Sequence, residues 1–375
     1  MDKDGFNRPC IQPGITLPED VSRQIAWSCP GLNVKPVQED GVNRGVWGRL
    51  ISLTTGYASD DSLRFNGATG GALSALQKYL LENGRVDAIV SVSSDPENPL
   101  LCAVSSFSDP TEVERRTGSR YAPSSPLQDI MAEIKKYNSF AFVGKPCDVS
   151  ALRRAATLIP ELKNKVRYYL SFFCAGVPSQ NATSKMLEKM GLDDKNVVSL
   201  KYRGNGWPGF ASAMDRQGKE VRMSYNDSWG KILGHRVLGR CKICPDGIGE
   251  HADITCADAW HCDEKGFPDF REAAGVNAIA VRTSAGAELF RDAVRDGYIT
   301  IQDSDLSGSV LEKMQPYQAY RKKVLITRTL ACFVTRGTFI RFKVWPALVN
   351  AIKINPLRHV REFMGTTYRV LKGRL

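Results

Sequence analysis

Short apolar runs alternate with amphipathic stretches from about residue 47 onward, and this alternation predicts strands followed by helices. The clearest helix is predicted over 72–82, where four leucines recur at helical spacing and Asn83-Gly84 supplies a C-cap. A buried strand is predicted at Val86–Val92. Further strands are predicted at 139–143, 166–173, 197–203 and 220–225, and further helices at 127–137, 149–158 (N-capped by Asp148), 184–190 and 287–296.

Strand, turn and helix follow each other twice between residues 139 and 190, which is typical of a parallel α/β sheet. We therefore predict an α/β (mixed α+β) fold. It has a mostly parallel sheet core, a cysteine-rich loop insertion at 241–262 and a smaller N-terminal α/β domain. The expected divisions are an N-terminal segment at 1–45, the N-terminal α/β domain at 46–125, a C-terminal catalytic α/β domain at 126–320 and a basic amphipathic tail at 321–375.

The composition is that of a globular protein, because 42% of the 375 residues are hydrophobic and 24% are charged. The longest apolar stretch, Val324 to Ile340, is interrupted by Arg328 and Arg336, so no membrane span is predicted. The first five residues have no apolar core and no cleavage pattern. We expect a cytoplasmic protein rather than a secreted one.

The net charge of +11 is concentrated at one end of the chain. Residues 321–375 hold 13 Lys and Arg against one acid, Glu362, which gives +12, and the other residues hold 38 bases against 39 acids, which gives −1. A neutral body argues against nucleic-acid binding. The tail also carries large apolar residues such as Phe339, Phe342 and Trp345. Two interpretations stay open: a helix packed on the body, or a segment that docks on an acidic partner or on an anionic membrane surface, peripherally at its inner face.

Ten cysteines are many for a cytoplasmic protein, where they are expected as thiols or metal ligands. Cys147 and Cys174 each follow a predicted strand. Because the carboxyl ends of parallel strands meet at one edge of a sheet, we expect these two side chains to lie side by side. Cys241 and Cys244 form a C-x2-C pair, a spacing that lets two thiolates reach one metal centre. Four thiolates are the number that an iron–sulfur cluster or a structural zinc takes.

Zinc is the alternative to a cluster. Cys241 and Cys244 could form a local zinc knuckle with Cys256 and Cys262, and His251 and His261 lie within reach. The spacing is compatible with both interpretations.

Seven motifs of the chain, taken in order, resemble one known family. They are Gly56-Tyr57, Thr69-Gly70-Gly71, Gly118-Ser119-Arg120-Tyr121, Gly144-Lys145-Pro146-Cys147-Asp148 with Ala151-Leu152-Arg153, Phe173-Cys174-Ala175-Gly176-Val177-Pro178-Ser179, Tyr202-Arg203-Gly204-Asn205-Gly206-Trp207-Pro208-Gly209, and the segment from Cys241 through Ala252-Asp253-Ile254 to Asp258-Ala259-Trp260. The family is that of the coenzyme F-420 hydrogenase/dehydrogenase beta subunits, which also holds chlorophyll-pathway reductases. The resemblance covers about Cys29 to Asp296.

This resemblance implies an oxidoreductase that carries FAD and at least one [4Fe-4S] cluster. It would pass electrons between the cluster, the flavin and a small organic substrate or deazaflavin, with an electron donor protein such as ferredoxin or a sister subunit as partner. The implied cluster ligands are Cys147, Cys174, Cys241 and Cys244. Many relatives carry an N-terminal ferredoxin-like cysteine run, of which only Cys10 and Cys29 remain here. The alternative is a non-redox, zinc-stabilised binding protein on the same fold.

The implied FAD contacts lie in three glycine-containing motifs. A glycine-rich turn before a helix lets backbone N–H groups approach a phosphate. We therefore expect contact with FAD from Arg64, Thr69, Gly70, Gly71, Arg120, Tyr121, Arg203, Gly206 and Trp207. A surface turn around Arg120 and a core position for Trp207 are the alternatives. Asp253 and Asp258 are expected to cap loops, and the alternative is that they tune the flavin or relay a proton. No catalytic residue is assigned.

Overall fold

The computed structural model describes residues 1–263, 268–373 and 375, so Arg374 of the basic tail lies outside these ranges. The strands are β1 (Val42–Asn43), β2 (Arg49–Leu50), β3 (Ser52–Ala58), β4 (Ala88–Ser94), β5 (Cys102–Phe107), β6 (Phe140–Gly144), β7 (Val166–Phe172), β8 (Val197–Lys201), β9 (Phe210–Asp215), β10 (Glu220–Ser224), β11 (Ile254–Asp258), β12 (Asn277–Val281) and β13 (Ile299–Asp303).

The α-helices surround these strands. They are α1 (Glu19–Ser28), α2 (Asp61–Asn66), α3 (Ala72–Glu82), α4 (Glu112–Arg115), α5 (Ile130–Glu133), α6 (Pro146–Ala155), α7 (Pro160–Lys165), α8 (Gln180–Lys189), α9 (Gly239–Lys242), α10 (Ser284–Arg295), α11 (Gly308–Met314), α12 (Pro316–Lys323), α13 (Leu325–Arg336), α14 (Val344–Ala351) and α15 (Pro356–Leu371).

The main sheet has eight strands in the order β13-β3-β12-β11-β7-β6-β4-β5. The mixed α/β class is confirmed, but the sheet is parallel only in its centre. The pairs β4–β6, β6–β7 and β7–β11 are parallel, whereas β4–β5, β11–β12, β12–β3 and β13–β3 are antiparallel. A short connection such as that from β4 to β5 suits antiparallel pairing, because only a long crossover can return a strand parallel to its predecessor.

The predicted boundary between residues 125 and 126 does not divide this sheet. Strand β3 lies between β12 and β13, and β4 pairs with β6, so strands from both sides of the boundary hydrogen-bond in the same sheet. A second sheet of three antiparallel strands, in the order β10-β9-β8, holds the strands predicted near 197 and 220.

The core lies on both faces of the main sheet. Along β6, Phe140 and Phe142 pack with α6, whereas Ala141 and Val143 pack with α3 and α10 on the other side. Successive side chains of a strand point to opposite faces, so a strand whose residues are all buried must be covered twice. The result is a layer of helices on each side of the central strands.

Three predicted elements differ from the structure. The helix predicted at 127–137 is reduced to α5 and a 3-10 turn over Ile134–Lys136. Helix α6 begins at Pro146, and Asp148 lies in its first turn, where its carboxylate accepts the N–H of Lys145. The segment 241–262 is no simple loop, because β11 within it forms part of the sheet core.

The basic tail folds onto the body as three helices. Helix α13 packs with α14 and α15, and a shared apolar cluster joins Val34 and Ile243 of the body to Leu325, Ile340 and Phe342 of the tail. Within the described ranges, no helix has the length and apolar content needed to cross a bilayer.

The first prediction concerns the apolar side chains that are buried between α3 and the main sheet. Leu76 is fully buried between α3 and the sheet, so Leu76→Ala removes apolar contacts and leaves a cavity. We expect it to lower the free energy of unfolding by about 2–5 kcal/mol in denaturant titration. Leu158→Ala is the matched control, because Leu158 is exposed, and should change it by less than about 0.5 kcal/mol. Equal losses in the two variants would contradict this layer assignment.

Candidate functional site

Two of the predicted metal ligands lie where neighbouring parallel strands end. Gly144, the last residue of β6, is paired with Ser171 of β7. Cys147 follows in the first turn of α6, and Cys174 comes two residues after the end of β7. The two thiols therefore share the edge of the sheet that the sequence predicted for them.

The Cys241–Cys244 turn docks against the segment that begins at Cys174. The N–H of Leu238 donates to the carbonyl of Val177 at 2.8 Å, and the N–H of Cys174 donates to the carbonyl of Gly247 at 2.8 Å. A Cβ added at Gly176, whose φ is +138°, would lie 3.3 Å from the Cβ of Cys241. This close approach requires glycine and brings the C-x2-C pair beside Cys174.

The four partly buried thiols act on one another electrostatically. Burial, and then the neighbouring Cys241 and Cys244, raise the pKa of Cys174 to about 12. Burial, and then Asp148, Cys174 and Cys241, raise the pKa of Cys147 well above its usual value, and burial followed by Cys244 raises the pKa of Cys241. Neighbouring thiolates repel each other, so each thiol makes ionisation of the others less favourable. These thiols can ionise together only if a positive centre lies beside them.

Three polar side chains that the sequence analysis did not assign surround these thiols. Arg321 donates to the carbonyl of Cys174 at 2.9 Å and to the carbonyl of Cys241 at 2.7 Å, and Gln318 donates to the carbonyl of Cys174 at 3.0 Å. Lys145 pairs with Asp148 at 2.7 Å, and although burial opposes its charge, Asp148 and Cys147 raise its pKa. Lys145 belongs to the Cys147 motif and could have been found there. Arg321 was counted only as the first base of the basic tail, with no role of its own.

The cysteines of the alternative zinc knuckle lie elsewhere. Cys256 is buried in β11 among core side chains, and burial alone raises its pKa to about 12. The Cys262 thiol lies 3.9 Å from the carbonyl of Met314, and His251 hydrogen-bonds the carbonyl of Val34. In the described part of the chain, no three His, Cys, Asp or Glu side chains stand close enough together to hold one metal ion, and this holds for the four predicted cluster ligands as well as for the zinc knuckle.

A second convergence of predicted residues centres on the Asp258 carboxylate, at the end of β11. Arg203 binds it with two hydrogen bonds of 2.7 and 3.0 Å, Thr69 donates to it at 2.7 Å, and Trp207 donates its indole N–H at 3.3 Å. Only 2% of the Arg203 side chain is exposed, and although burial opposes its charge, Asp258 raises its pKa. One carboxylate thus joins two of the three predicted FAD motifs, those of Thr69 and of Arg203 with Trp207.

Aromatic rings enclose this ion pair. Trp207 stacks on Trp260 with ring centroids 4.8 Å apart, and the Arg203 guanidinium lies over the rings of Tyr225 and Trp260 at 4.5 and 5.1 Å. Phe270 contacts both Tyr225 and Trp260. The sequence analysis did not identify Tyr225 and Phe270 as site residues, because only the fold brings them close to Arg203. We call Thr69, Arg203, Trp207, Asp258 and Trp260 the Asp258 cluster.

The glycines predicted to approach a phosphate instead approach protein atoms. A Cβ added at Gly70 would lie 2.8 Å from the side-chain oxygen of Asn277, and one added at Gly71, whose φ is +71°, would lie 2.6 Å from the carbonyl of Leu63. Both residues must therefore stay glycine for the packing around α3 to form. The expected contact of their backbone N–H groups with FAD stays a prediction.

Two further predicted residues lie near the Asp258 cluster. Arg64 donates through Nε to the carbonyl of Gly275 at 2.9 Å, and its guanidinium lies 3.4 Å from the ring centroid of Tyr57. The N–H of Gly206 donates to the carbonyl of Phe65 at 2.9 Å, which ties the loop before Trp207 to α2. A Cβ added at Gly206 would meet no atom closer than 3.6 Å.

The remaining predicted pair serves the smaller sheet. Arg120 donates to the carbonyls of Pro99, Leu101 and Leu200, so these backbone groups already hold its guanidinium. Tyr121 packs against Trp229 with ring centroids 4.7 Å apart. Asp253 likewise accepts from the N–H of Tyr169, from Arg153 and from Thr283, and holds segments together as expected of a capping carboxylate.

Two family models match the chain. Both describe the beta subunit of coenzyme F420 hydrogenase/dehydrogenase. The model of its N-terminal part matches residues 53–132, and the model of its C terminus matches residues 137–306. Together they span both the cysteine edge and the Asp258 cluster.

Individual relatives are distant. The chain is 29% identical over 246 residues to the F420-dependent formate dehydrogenase 1 subunit beta of Methanococcus maripaludis, covering 64% of this chain and 59% of that protein. It is 24% identical over 248 residues to the coenzyme F420-dependent sulfite reductase of Methanocaldococcus jannaschii, covering 62% of this chain and 35% of that protein. The chain thus spans from about a third to about three fifths of the length of these relatives.

A solved structure shares the fold. It is a chain of the F420-reducing [NiFe] hydrogenase complex from Methanosarcina barkeri, with a TM-score of 0.59 and 18% identity over 80% of this chain and 98% of that chain.

The second prediction tests the buried ion pair. Asp258→Asn leaves the Arg203 charge unpaired among aromatic rings, so we expect the free energy of unfolding to fall by about 3–5 kcal/mol. Adding Arg203→Met to Asp258→Asn removes that unpaired charge, so the double variant should lose less than the sum of the single losses. Asp20→Asn, at an exposed position, is the control. Additive losses in denaturant titrations would show that the two side chains do not depend on each other.

Proposed function

The chain belongs to the coenzyme F420 hydrogenase/dehydrogenase beta-subunit family, and we propose that it is a flavin- and iron–sulfur-dependent oxidoreductase. In this proposal it passes electrons between a [4Fe-4S] cluster, FAD and a small organic substrate or a deazaflavin-type coenzyme. The proposal rests on one observation above all, which is that the segments carrying Cys147, Cys174 and the Cys241–Cys244 pair lie next to one another beyond the ends of β6 and β7.

The donor set fits an iron–sulfur cluster. Cysteine thiolates in fours are the usual ligands of [4Fe-4S] clusters, which supply one-electron chemistry when bound. The four thiols come from two strand ends and one C-x2-C turn, so the chain can surround a compact group from several sides. Cys256 and Cys262, which a local zinc knuckle would need, lie in other surroundings.

Nearby cations and hydrogen-bond donors act on the cysteine segments in two ways: they favour ionisation of thiols, and they hold backbone carbonyls in place. Lys145 stands beside Cys147 and favours the ionised form of that thiol, and Arg321 favours ionisation of Cys174 and Cys241. Arg321 and Gln318 also hold the carbonyls of Cys174 and Cys241, so the two cysteine segments keep a fixed separation. Fixing ligand loops by hydrogen bonds outside the metal centre is how proteins orient such ligands.

The residues fit FAD in part. In the described part of the chain, only the Nε of the Arg64 guanidinium has a hydrogen-bond acceptor, so its other nitrogens are available to a pyrophosphate. Gly206 leaves space beside it, whereas the rings of Trp207 and Trp260 are buried and stack on each other. Gly70 and Gly71 pack against Asn277 and Leu63, and Arg120 is held by the carbonyls of Pro99, Leu101 and Leu200. A bound flavin would supply the coupling of one-electron to two-electron transfer.

Substrate and partner follow from the relatives. Both enzymes described above carry F420 in their names, which supports a deazaflavin as the candidate substrate. The formate dehydrogenase relative is a beta subunit, which supports a sister subunit or a ferredoxin-like donor as the candidate partner.

The direct test of the cofactors is a visible spectrum of protein purified without oxygen. A brown-yellow protein with broad absorption, and with flavin released on denaturation, would support the proposal. A colourless protein that contains stoichiometric zinc would overturn it in favour of a zinc-stabilised binding protein.

The third prediction concerns the thiols. Replacing Cys147, Cys174, Cys241 or Cys244 with Ser removes one ligand, so each variant should lose most of its iron and acid-labile sulfide. Iron and sulfide are assayed per protein chain after anaerobic reconstitution. Cys10→Ser and Cys102→Ser are the controls and should retain both. If Cys256→Ser and Cys262→Ser emptied the site while Cys147→Ser did not, the zinc knuckle would be the better assignment.

The fourth prediction concerns Arg64. Arg64→Gln removes the guanidinium that is available to a pyrophosphate, and FAD should bind roughly 10- to 100-fold more weakly, the value of a charge-assisted hydrogen bond. Binding is followed by quenching of flavin fluorescence, with iron content measured in parallel. Arg216→Gln, at an exposed position on the smaller sheet, should leave affinity unchanged.

Loss of iron together with FAD in Arg64→Gln would indicate unfolding rather than a lost contact. Gly71→Val is unsuitable for this purpose, because the side chain would collide with Leu63 and disturb the fold.

A further inference from the structure

The last helix of the chain exposes an apolar stripe. Leu357, Val360, Met364, Tyr368 and Leu371 of α15 are all more than half exposed, and they recur every three or four residues. This spacing places them on one face of the helix. The opposite face is the packed one, because Thr366 and Val370 are buried and α15 packs on α13. The exposed stripe therefore plays no part in the core.

Helix α14 repeats the arrangement. Trp345, Leu348, Val349 and Ile352 are exposed at helical spacing, with 75% of Trp345 and 82% of Ile352 accessible, while Ala347 and Asn350 are buried. We call the exposed apolar residues of α14 and α15 the tail face. The two helices are neighbours, because His359 of α15 hydrogen-bonds the carbonyl of Ala351 of α14, and rows of exposed apolar side chains on neighbouring helices mark a candidate site of interaction.

Basic residues accompany the tail face. Arg358, Arg361, Arg369 and Lys372 each follow a stripe residue of α15 by one position, and Lys353 follows Ile352. At about 100° per residue, these bases flank the apolar stripe. Among the described residues, none of these five bases has a carboxylate at ion-pair distance. Glu362, the one acid of the tail, is already paired with Arg328 at 2.8 Å.

We propose that the tail face docks on the surface of an anionic lipid bilayer. The charge is complementary, since the excess positive charge of the sequence lies in residues 321–375, while the other residues are near neutral. Anionic lipids attract flanking bases, and apolar side chains enter the boundary between headgroups and acyl chains. Tryptophan beside bases is typical of residues at that boundary.

The shape of the face favours a bilayer over a protein partner. Trp345 and Ile352 protrude into solvent, and the cavity of about 110 Å³ beside α14 is lined by residues of its packed side, such as Phe342, Ala347 and Asn350. Protruding side chains need a matching groove in a protein, whereas a fluid acyl layer accommodates them without one. The proposal is independent of the cofactors and of the activity proposed above.

The contacts of the tail determine how this must be tested. Arg321 holds two cysteine carbonyls, and Arg328 donates to the carbonyl of Lys242. Removing residues 321–375 would therefore disturb the cysteine segments, and a truncated protein that lost its cofactors would say nothing about lipid. Substitutions of exposed tail residues leave these contacts in place.

The fifth prediction uses the full-length chain in vesicle co-sedimentation. It should bind vesicles that contain about 30% phosphatidylglycerol and bind pure phosphatidylcholine at least about tenfold more weakly, since each base near an anionic surface contributes to affinity. Raising the salt from about 0.1 to 0.5 M should release it, because screening shortens the range of the attraction.

Two double variants separate charge from apolar contact. The charge variant is Arg358→Glu with Arg361→Glu, and the apolar variant is Ile352→Ser with Leu357→Ser. Each should weaken vesicle binding about tenfold or more. Each double variant has a matched control that changes exposed residues of the body and should bind like the parent. The control for charge is Lys163→Glu with Lys195→Glu, and the control for apolar contact is Val198→Ser with Met214→Ser.

Several results would overturn the proposal. They are equal binding to neutral and anionic vesicles, no binding to either, or tail variants that bind as the parent does. A dimer detected by light scattering and lost in Ile352→Ser with Leu357→Ser would assign the face to a second copy of the chain. Binding of polyglutamate without any binding of vesicles would assign it to an acidic protein.

Discussion

A buried guanidinium must find acceptors, and this constraint determines how the outer segments of the protein attach to its sheet. Arg203 binds the smaller sheet to Asp258 at the end of β11. Arg282 donates to the carbonyls of Trp47, Arg49 and Ile248 and so fastens the N-terminal segment to β12. Arg321 donates to the carbonyls of Cys174 and Cys241 and so fastens the tail to the cysteine segments. Each contact joins residues far apart in sequence, and each would leave a costly unpaired group if its segment moved away.

The sequence predicted what depends on local pattern. Helix α3 has the predicted bounds, and Cys147 and Cys174 lie at the predicted strand ends, because periodicity and strand order act over short distances. It did not predict the antiparallel β11–β12 pair, since pairing across a long connection leaves no periodic signal. It also did not reveal which protein atoms Gly70 and Gly71 approach, because a glycine beside Asn277 or Leu63 looks the same in sequence as one beside a phosphate.

The tail shows the same limit for charge. The sequence analysis treated its 13 bases as one segment with a single role. Among the described bases, Arg321 and Arg328 reach inward to backbone carbonyls of the cysteine segments, whereas Arg358, Arg361 and Lys372 are exposed beside apolar side chains. Composition cannot distinguish these groups, because burial depends on how α13 packs with α14 and α15.

The contacts of Gln318 and Arg321 also bear on the order in which the protein matures. Both residues are translated after all four cysteines, and Arg341, later still, pairs its backbone with Leu32 and Val34 near the other end of the chain. A ribosome therefore releases the cysteine segments before the residues that fix them exist. The thiols therefore pass through a stage in which Gln318 and Arg321 do not yet hold the neighbouring carbonyls. In the function proposed above, a cluster would enter at this stage, before the tail closes on the cysteine segments.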